Sequence, residues 1–174
     1  MNQSSAPVLR QKKYLLPFLS AAMAMLAGAV IFILPPPLST QLHETAAGQY
    51  QSVVVTPNVT IELDANSAIT VTNSEPPRVE LIQGSIYFSG DNKAINAKRL
   101  EVIMGDVRFW DMGADFSLET IKTGGSIAIE NGQIEMVAGE QTRLISAGQR
   151  VDFDNQRVIE SSSIIGLKIA PWRR

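Results

Sequence analysis

The chain has 174 residues, 18% of them charged, and no cysteine, which excludes disulfides, thiolate metal sites and cysteine nucleophiles. Charge is unevenly placed: Arg10, Lys12 and Lys13 precede every acid, whereas beyond Leu34 12 Lys or Arg stand against 17 acids, a formal net charge of −5. That acidic remainder does not suit a nucleic-acid partner, which takes a basic face.

Residues 1–13 read as a short basic tail. Residues 14–34 carry no charge at all. As a helix rising about 1.5 Å per residue they reach roughly 31 Å, close to the hydrocarbon thickness of a bilayer. Pro17 falls in the first turn, where a missing N–H is tolerated, and Pro35, Pro36 and Pro37 end the helix. Arg10, Lys12 and Lys13 flank the span on one side, and Pro35 marks its other end. No Lys or Arg follows until Arg78. The positive-inside bias therefore predicts a single-pass protein of the bacterial inner membrane, N-terminus in the cytoplasm and bulk in the periplasm. The apolar run is longer than the roughly 7–15 residues of a cleaved signal peptide, which favours an anchor. Either way the same domain is exported.

Residues 35–51 hold Ser, Thr, Gln, Gly and the single histidine, His43, without clear periodicity, and read as a tether. From Ser52 onward the pattern is that of strands. Short alternating segments rich in Val, Ile, Thr and Phe are punctuated by Gly, Asn and Asp, beginning with Val53 to Val55, Thr60 to Glu62 and Ile69 to Val71. An internal repeat follows. Around Gly84 stand Val79, Leu81, Ile86 and Phe88; around Gly105, Leu100, Val102, Val107 and Phe109; around Gly132, Ile127, Ile129, Ile134 and Met136. Each unit predicts two strands with one buried face, joined or bent at a residue that accepts positive φ. Asn131-Gly132 is the strongest hairpin signal, a type I′ turn. A displaced copy surrounds Gly148 with Leu144, Val151 and Phe153, and Asp154-Asn155 predicts another turn. At most a helical turn or two is expected, near residues 38–47 and 111–116. The expected fold of residues 52–174 is all-β: repeated strand pairs forming a sandwich, jelly roll or solenoid.

Candidate chemistry is sparse. His43 has no second histidine with which to build a metal site. Asp106, Asp111 and Asp115 lack the alternation and terminal glutamate of a calcium loop and read as turn-holding residues. No nucleophile elbow, phosphate loop or GxGxxG occurs. The expectation is a non-enzymatic chain with no cofactor, metal or small-molecule substrate. Trp110 adjoins the core position Phe109, so alternation turns it away from the core, either under a neighbouring loop, the favoured reading, or outward, where a tryptophan can anchor a protein partner. Exposed sheet edges offer a second partner mode.

Five segments in order carry a family resemblance over about residues 48–153. They are Ala47-Gly48-Gln49-Tyr50 with Val59 to Ser67; Arg78-Val79-Glu80-Leu81 with Gly84 to Phe88; Met112-Gly113-Ala114-Asp115-Phe116-Ser117-Leu118; Glu130-Asn131-Gly132-Gln133-Ile134; and Leu144 to Gln149. Together they resemble the periplasmic domain of the FecR-like family of membrane sigma-factor regulators, with Pro57-Asn58-Val59 in place of the opening turn and Ala114 in place of a threonine. The resemblance implies a relay from an outer-membrane receptor to a cytoplasmic sigma factor, made through protein contacts with a membrane regulator or a receptor signalling domain. Thirteen residues before the span leave no room for the family's helical anti-sigma module, so a module lacking its own anti-sigma domain is expected. Pro171-Trp172-Arg173-Arg174 resembles the family's W-R-x-G junction, which makes Trp172 a second candidate partner contact. The alternative is a lipid- or lipopolysaccharide-transport bridge, which also joins a short tail, one helix and an exported jelly roll. That alternative requires an open, apolar-lined groove.

Overall fold

The computed structural model describes residues 38–90, 100–111, 113–164 and 169–173. Fourteen strands run through them: β1 (Thr40–Glu44), β2 (Gln51–Thr56), β3 (Val59–Leu63), β4 (Ala68–Thr72), β5 (Arg78–Gln83), β6 (Ser85–Gly90), β7 (Leu100–Met104), β8 (Val107–Asp111), β9 (Asp115–Ile121), β10 (Gly124–Asn131), β11 (Gln133–Ala138), β12 (Gln141–Ser146), β13 (Gln149–Phe153) and β14 (Val158–Ser163). They form two seven-stranded sheets, ordered β1-β4-β5-β7-β8-β11-β12 and β14-β13-β10-β9-β6-β3-β2. Every pairing is antiparallel except β5 with β7. No helix occurs among the described residues, as the all-β expectation requires. The predicted span 14–34, with its flanks Arg10, Lys12, Lys13 and Pro35, lies outside them.

Strand alternation explains the core. All twelve apolar positions of the three-fold repeat are buried, and both sheets contribute to one cluster. The Phe88 and Phe116 rings stack with centroids 4.3 Å apart, and Phe109 meets Phe153 edge-on at 5.3 Å. Each such ring stabilises the fold by about 1.5–3 kcal/mol through removal of its surface from water.

The repeat hides two geometries. At Gly105 the chain makes a hairpin inside the first sheet, with Met104 opposite Val107. At Gly84 and Gly132 it passes from one sheet to the other: β5 to β6, and β10 to β11. The predicted type I′ hairpin at Asn131-Gly132 is therefore corrected to a corner between sheets. Only Gly132 of the pair has positive φ, at 76°, whereas a type I′ turn needs both. Strand β10 is paired on both sides, by β9 and β13, so β11 has no edge to join there.

Three further expectations change. Thr40–Glu44, read as tether, is an edge strand in register with β4, His43 opposite Ile69, and the contact-defined unit begins at Leu38. No helical turn forms near 38–47. At 111–116 the turn is an Asp111 cap, whose Oδ1 accepts the Gly113 and Ala114 N–H groups at 2.8 Å each. In β12 the core position is Ile145, paired with Ile134, while Leu144 is 50% exposed.

Candidate interaction site

The two sheets present outer faces of different character. Across the first sheet the register aligns Thr72, Arg78, Glu101, Trp110, Glu135 and Leu144. Glu101 is buried there, accepting from Arg78 Nε at 2.7 Å and Arg108 Nη1 at 3.4 Å. Two cations compensate its desolvation, as a buried carboxylate requires. Trp110 lies half-buried between Glu101 and Glu135, facing away from the core as alternation predicted.

Across the second sheet the aligned row is Ser52, Glu62, Tyr87, Ser117, Ala128, Arg150 and Ser162. Its middle members, Tyr87, Ser117 and Ala128, are buried although they point away from the core. The C-terminal residues meet the row at Tyr87 and Glu62. Arg173 turns back through its N–H to the Ala170 carbonyl at 3.1 Å. Its Nε and Nη2 each donate to a different Glu62 carboxylate oxygen at 2.9 Å, a bidentate pair. The same guanidinium lies 3.6 Å from the Tyr87 ring centroid, a cation–π contact. Trp172 stacks on Tyr50, with centroids 6.4 Å apart and planes 17° from parallel. Tyr87 donates its hydroxyl to Glu130 Oε2 at 2.6 Å. Burial, reinforced by that hydrogen bond to a carboxylate, pushes the Tyr87 phenol well above its ordinary value, so it stays a neutral donor. Tyr50, Ser52, Glu62, Trp172 and Arg173 line an open recess of about 580 Å³.

Trp110 and Trp172 are thus not brought together; they belong to the outer faces of opposite sheets. The aspartates do what turn residues do. Asp115 Oδ1 accepts the Gly90 N–H at 3.0 Å and its Oδ2 accepts Asn131 Nδ2 at 3.1 Å, while Asp106 sits exposed in the Gly105 hairpin. Among the described residues no three His, Cys, Asp or Glu side chains gather to hold a metal ion. Sequence reasoning missed Tyr50, Glu62 and Tyr87 as one site. Glu62 and Arg173 are 111 positions apart, and only folding joins them.

A family model described as FecR protein matches residues 41–135, more than half of the chain. Two crystal structures described as of a candidate anti-sigma factor from Parabacteroides distasonis ATCC 8503, at 2.50 Å and 1.65 Å resolution, share the fold. Their TM-scores are 0.62 and 0.60 at 13% identity, with 76% and 75% of this chain covered. The chain spans 62% and 61% of the length of those structures. A search of curated proteins found no match. The matched segment runs from β1 into β11, taking in eleven of the twelve repeat positions, and the chain belongs to the FecR protein family.

Proposed function

We propose that the chain is the membrane-anchored FecR domain of an envelope-to-sigma-factor signalling route, working through protein contacts rather than catalysis. Residues 14–34 form the single span, Arg10, Lys12 and Lys13 hold the N-terminus in the cytoplasm, and the β domain stands in the periplasm. The family membership and the anti-sigma factor likeness of the fold support the regulatory reading. The observation that carries it against the transport alternative is the filled interior. Phe88, Phe109, Phe116 and Phe153 occupy the space between the sheets, where a lipid bridge needs an open groove. Among the described residues, recesses open at the surface around residues 172–173 and along the β1 and β2 edges. Among the described residues, the groups with shifted pKa values are explained by turns and by the 170–173 contact: Asp111 and Asp154 cap turns, and Tyr87 and Arg173 meet there.

Photocrosslinking in living cells tests the choice between routes. A benzophenone side chain in place of Phe109, with folding verified by protease resistance, is expected to yield no lipopolysaccharide adduct. The same group in place of Trp110 is expected to yield discrete protein adducts. Lipopolysaccharide captured from the interior position would replace this reading with the transport one.

A further inference from the structure

The row across the second sheet is bracketed at both ends by the C-terminal residues. At one end Ile164 donates its N–H to the Gly148 carbonyl at 2.8 Å, extending the β14 ladder, and alternation puts it on the same side as Ser162 and Arg150. At the other end Arg173 holds Glu62 and covers Tyr87. Ile164 and Ala170 are both buried.

The surface they meet is unlike a solvated sheet face. Tyr87 is 3% exposed, and Ser117, Ser126 and Ala128 are small and buried, a shallow strip flanked by the Arg150–Glu119 pair. The recess at its end recognises two things at once: an arginine, through the Glu62 carboxylate and the Tyr87 ring, and an aromatic ring, through Tyr50. The hold is not deep. Arg173 and Glu62 keep 30% and 35% of their side-chain surface in water, so a competing segment can reach the pair. Tyr50 remains 53% exposed beneath Trp172.

We infer that the outer face of β2, β3 and β6 is a peptide-binding site for an extended segment carrying an aromatic residue followed by arginine, and that residues 170–173 occupy it in cis as a displaceable strap. A partner segment of the same chemistry takes the strap's place on Tyr50, Glu62 and Tyr87. The tethered strap competes at an effective concentration of the order of millimolar, so a free peptide reaches the site only when the tail is loosened. The inference rests on the protein-contact reading only for its biological use; peptide binding succeeds or fails whatever genes the chain controls.

The test uses the full chain in detergent micelles and a dye-labelled hexapeptide of sequence Ile-Ala-Pro-Trp-Arg-Arg. W172A/R173A is expected to bind this probe at least tenfold more tightly than the wild type. Adding E62Q to that variant is expected to reverse the gain by tenfold or more, and a probe with alanine at its tryptophan and first arginine is expected not to bind. A second measurement needs no tail variant. In a W110F background, where Trp172 is the remaining tryptophan, E62Q is expected to raise acrylamide quenching of its fluorescence at least twofold. Equal probe affinity for wild type and W172A/R173A, indifference to E62Q, or unchanged quenching would each overturn the inference.

Discussion

Asp111 and Asp154 both cap turns with a carboxylate that accepts two backbone N–H groups, yet they respond to pH in opposite directions. Burial pushes the Asp111 carboxyl up, and the Gly113 and Ala114 N–H groups only partly offset it. A group raised in the folded state stabilises below its unfolded pKa and loses that contribution as pH rises through the folded value. At neutral pH the ionised Asp111 is therefore a net cost. D111N keeps the accepting oxygen and is expected to melt above the wild type at pH 7, the gap closing as pH falls through the carboxylate range. D111A strands two N–H groups and is expected to cost about 1–3 kcal/mol in denaturant titration. Asp154, on the surface, is lowered by the Gln156 and Arg157 N–H groups, so its contribution is present above the unfolded value and lost as pH falls. A D111N melting curve that tracked the wild type at every pH would contradict this account. The role of these aspartates as turn residues was legible in the sequence. Their opposite environments were not, because burial at 111 depends on β7 and β11 pairing on either side of it.

At the scale of strands, glycine chemistry was readable but its meaning was not. A residue of positive φ serves a hairpin and a corner between sheets equally well, so Gly84, Gly105 and Gly132 look alike along the chain. Space separates them. A Cβ on Gly84, at φ +90°, would stand 2.5 Å from the Ser67 Cα, and one on Gly132 would stand 2.6 Å from the Gly113 carbonyl oxygen. On Gly105 it would meet only the Asn155 Oδ1 at 2.8 Å, the end of a side chain free to rotate. G84A and G132A are expected to lose about 2–5 kcal/mol from backbone strain plus overpacking, and G105A about 1–2 kcal/mol. Chemical denaturation of the three variants checks the ranking. Comparable losses at all three would mean that the corners are not what distinguishes them. The same limit explains Leu144. Leu144 and Ile145 are adjacent, and alternation alone cannot say which faces inward; the pairing of Ile145 with Ile134 decides it. Likewise β1 carries too few apolar residues to announce a strand, and its inward positions are the polar Gln41 and His43, beside Val71 and Ile69. It exists because β4 offers an edge.

At the scale of the molecule, the polar and apolar sides of the domain follow from sequence, whereas the long-range contact at its C-terminal end does not. The alternation that buries twelve repeat positions also fills the interior, and that filling leaves the outer faces as the surfaces for partners. Truncating a fully buried ring is the direct stability test: F88A, which removes the stack with Phe116, is expected to cost about 3–5 kcal/mol. For the anchor, alkaline phosphatase fused after residue 173 is expected to be active and a cytoplasmic reporter at the same point inactive; the reverse pattern would invert the topology. The most direct measurement of the central claim is transcript profiling of cells with and without the chain. The account predicts a change confined to a small set of promoters sharing one sigma-factor recognition element, restored by the wild-type chain. An unchanged promoter profile, accompanied by loss of outer-membrane lipopolysaccharide, would contradict it.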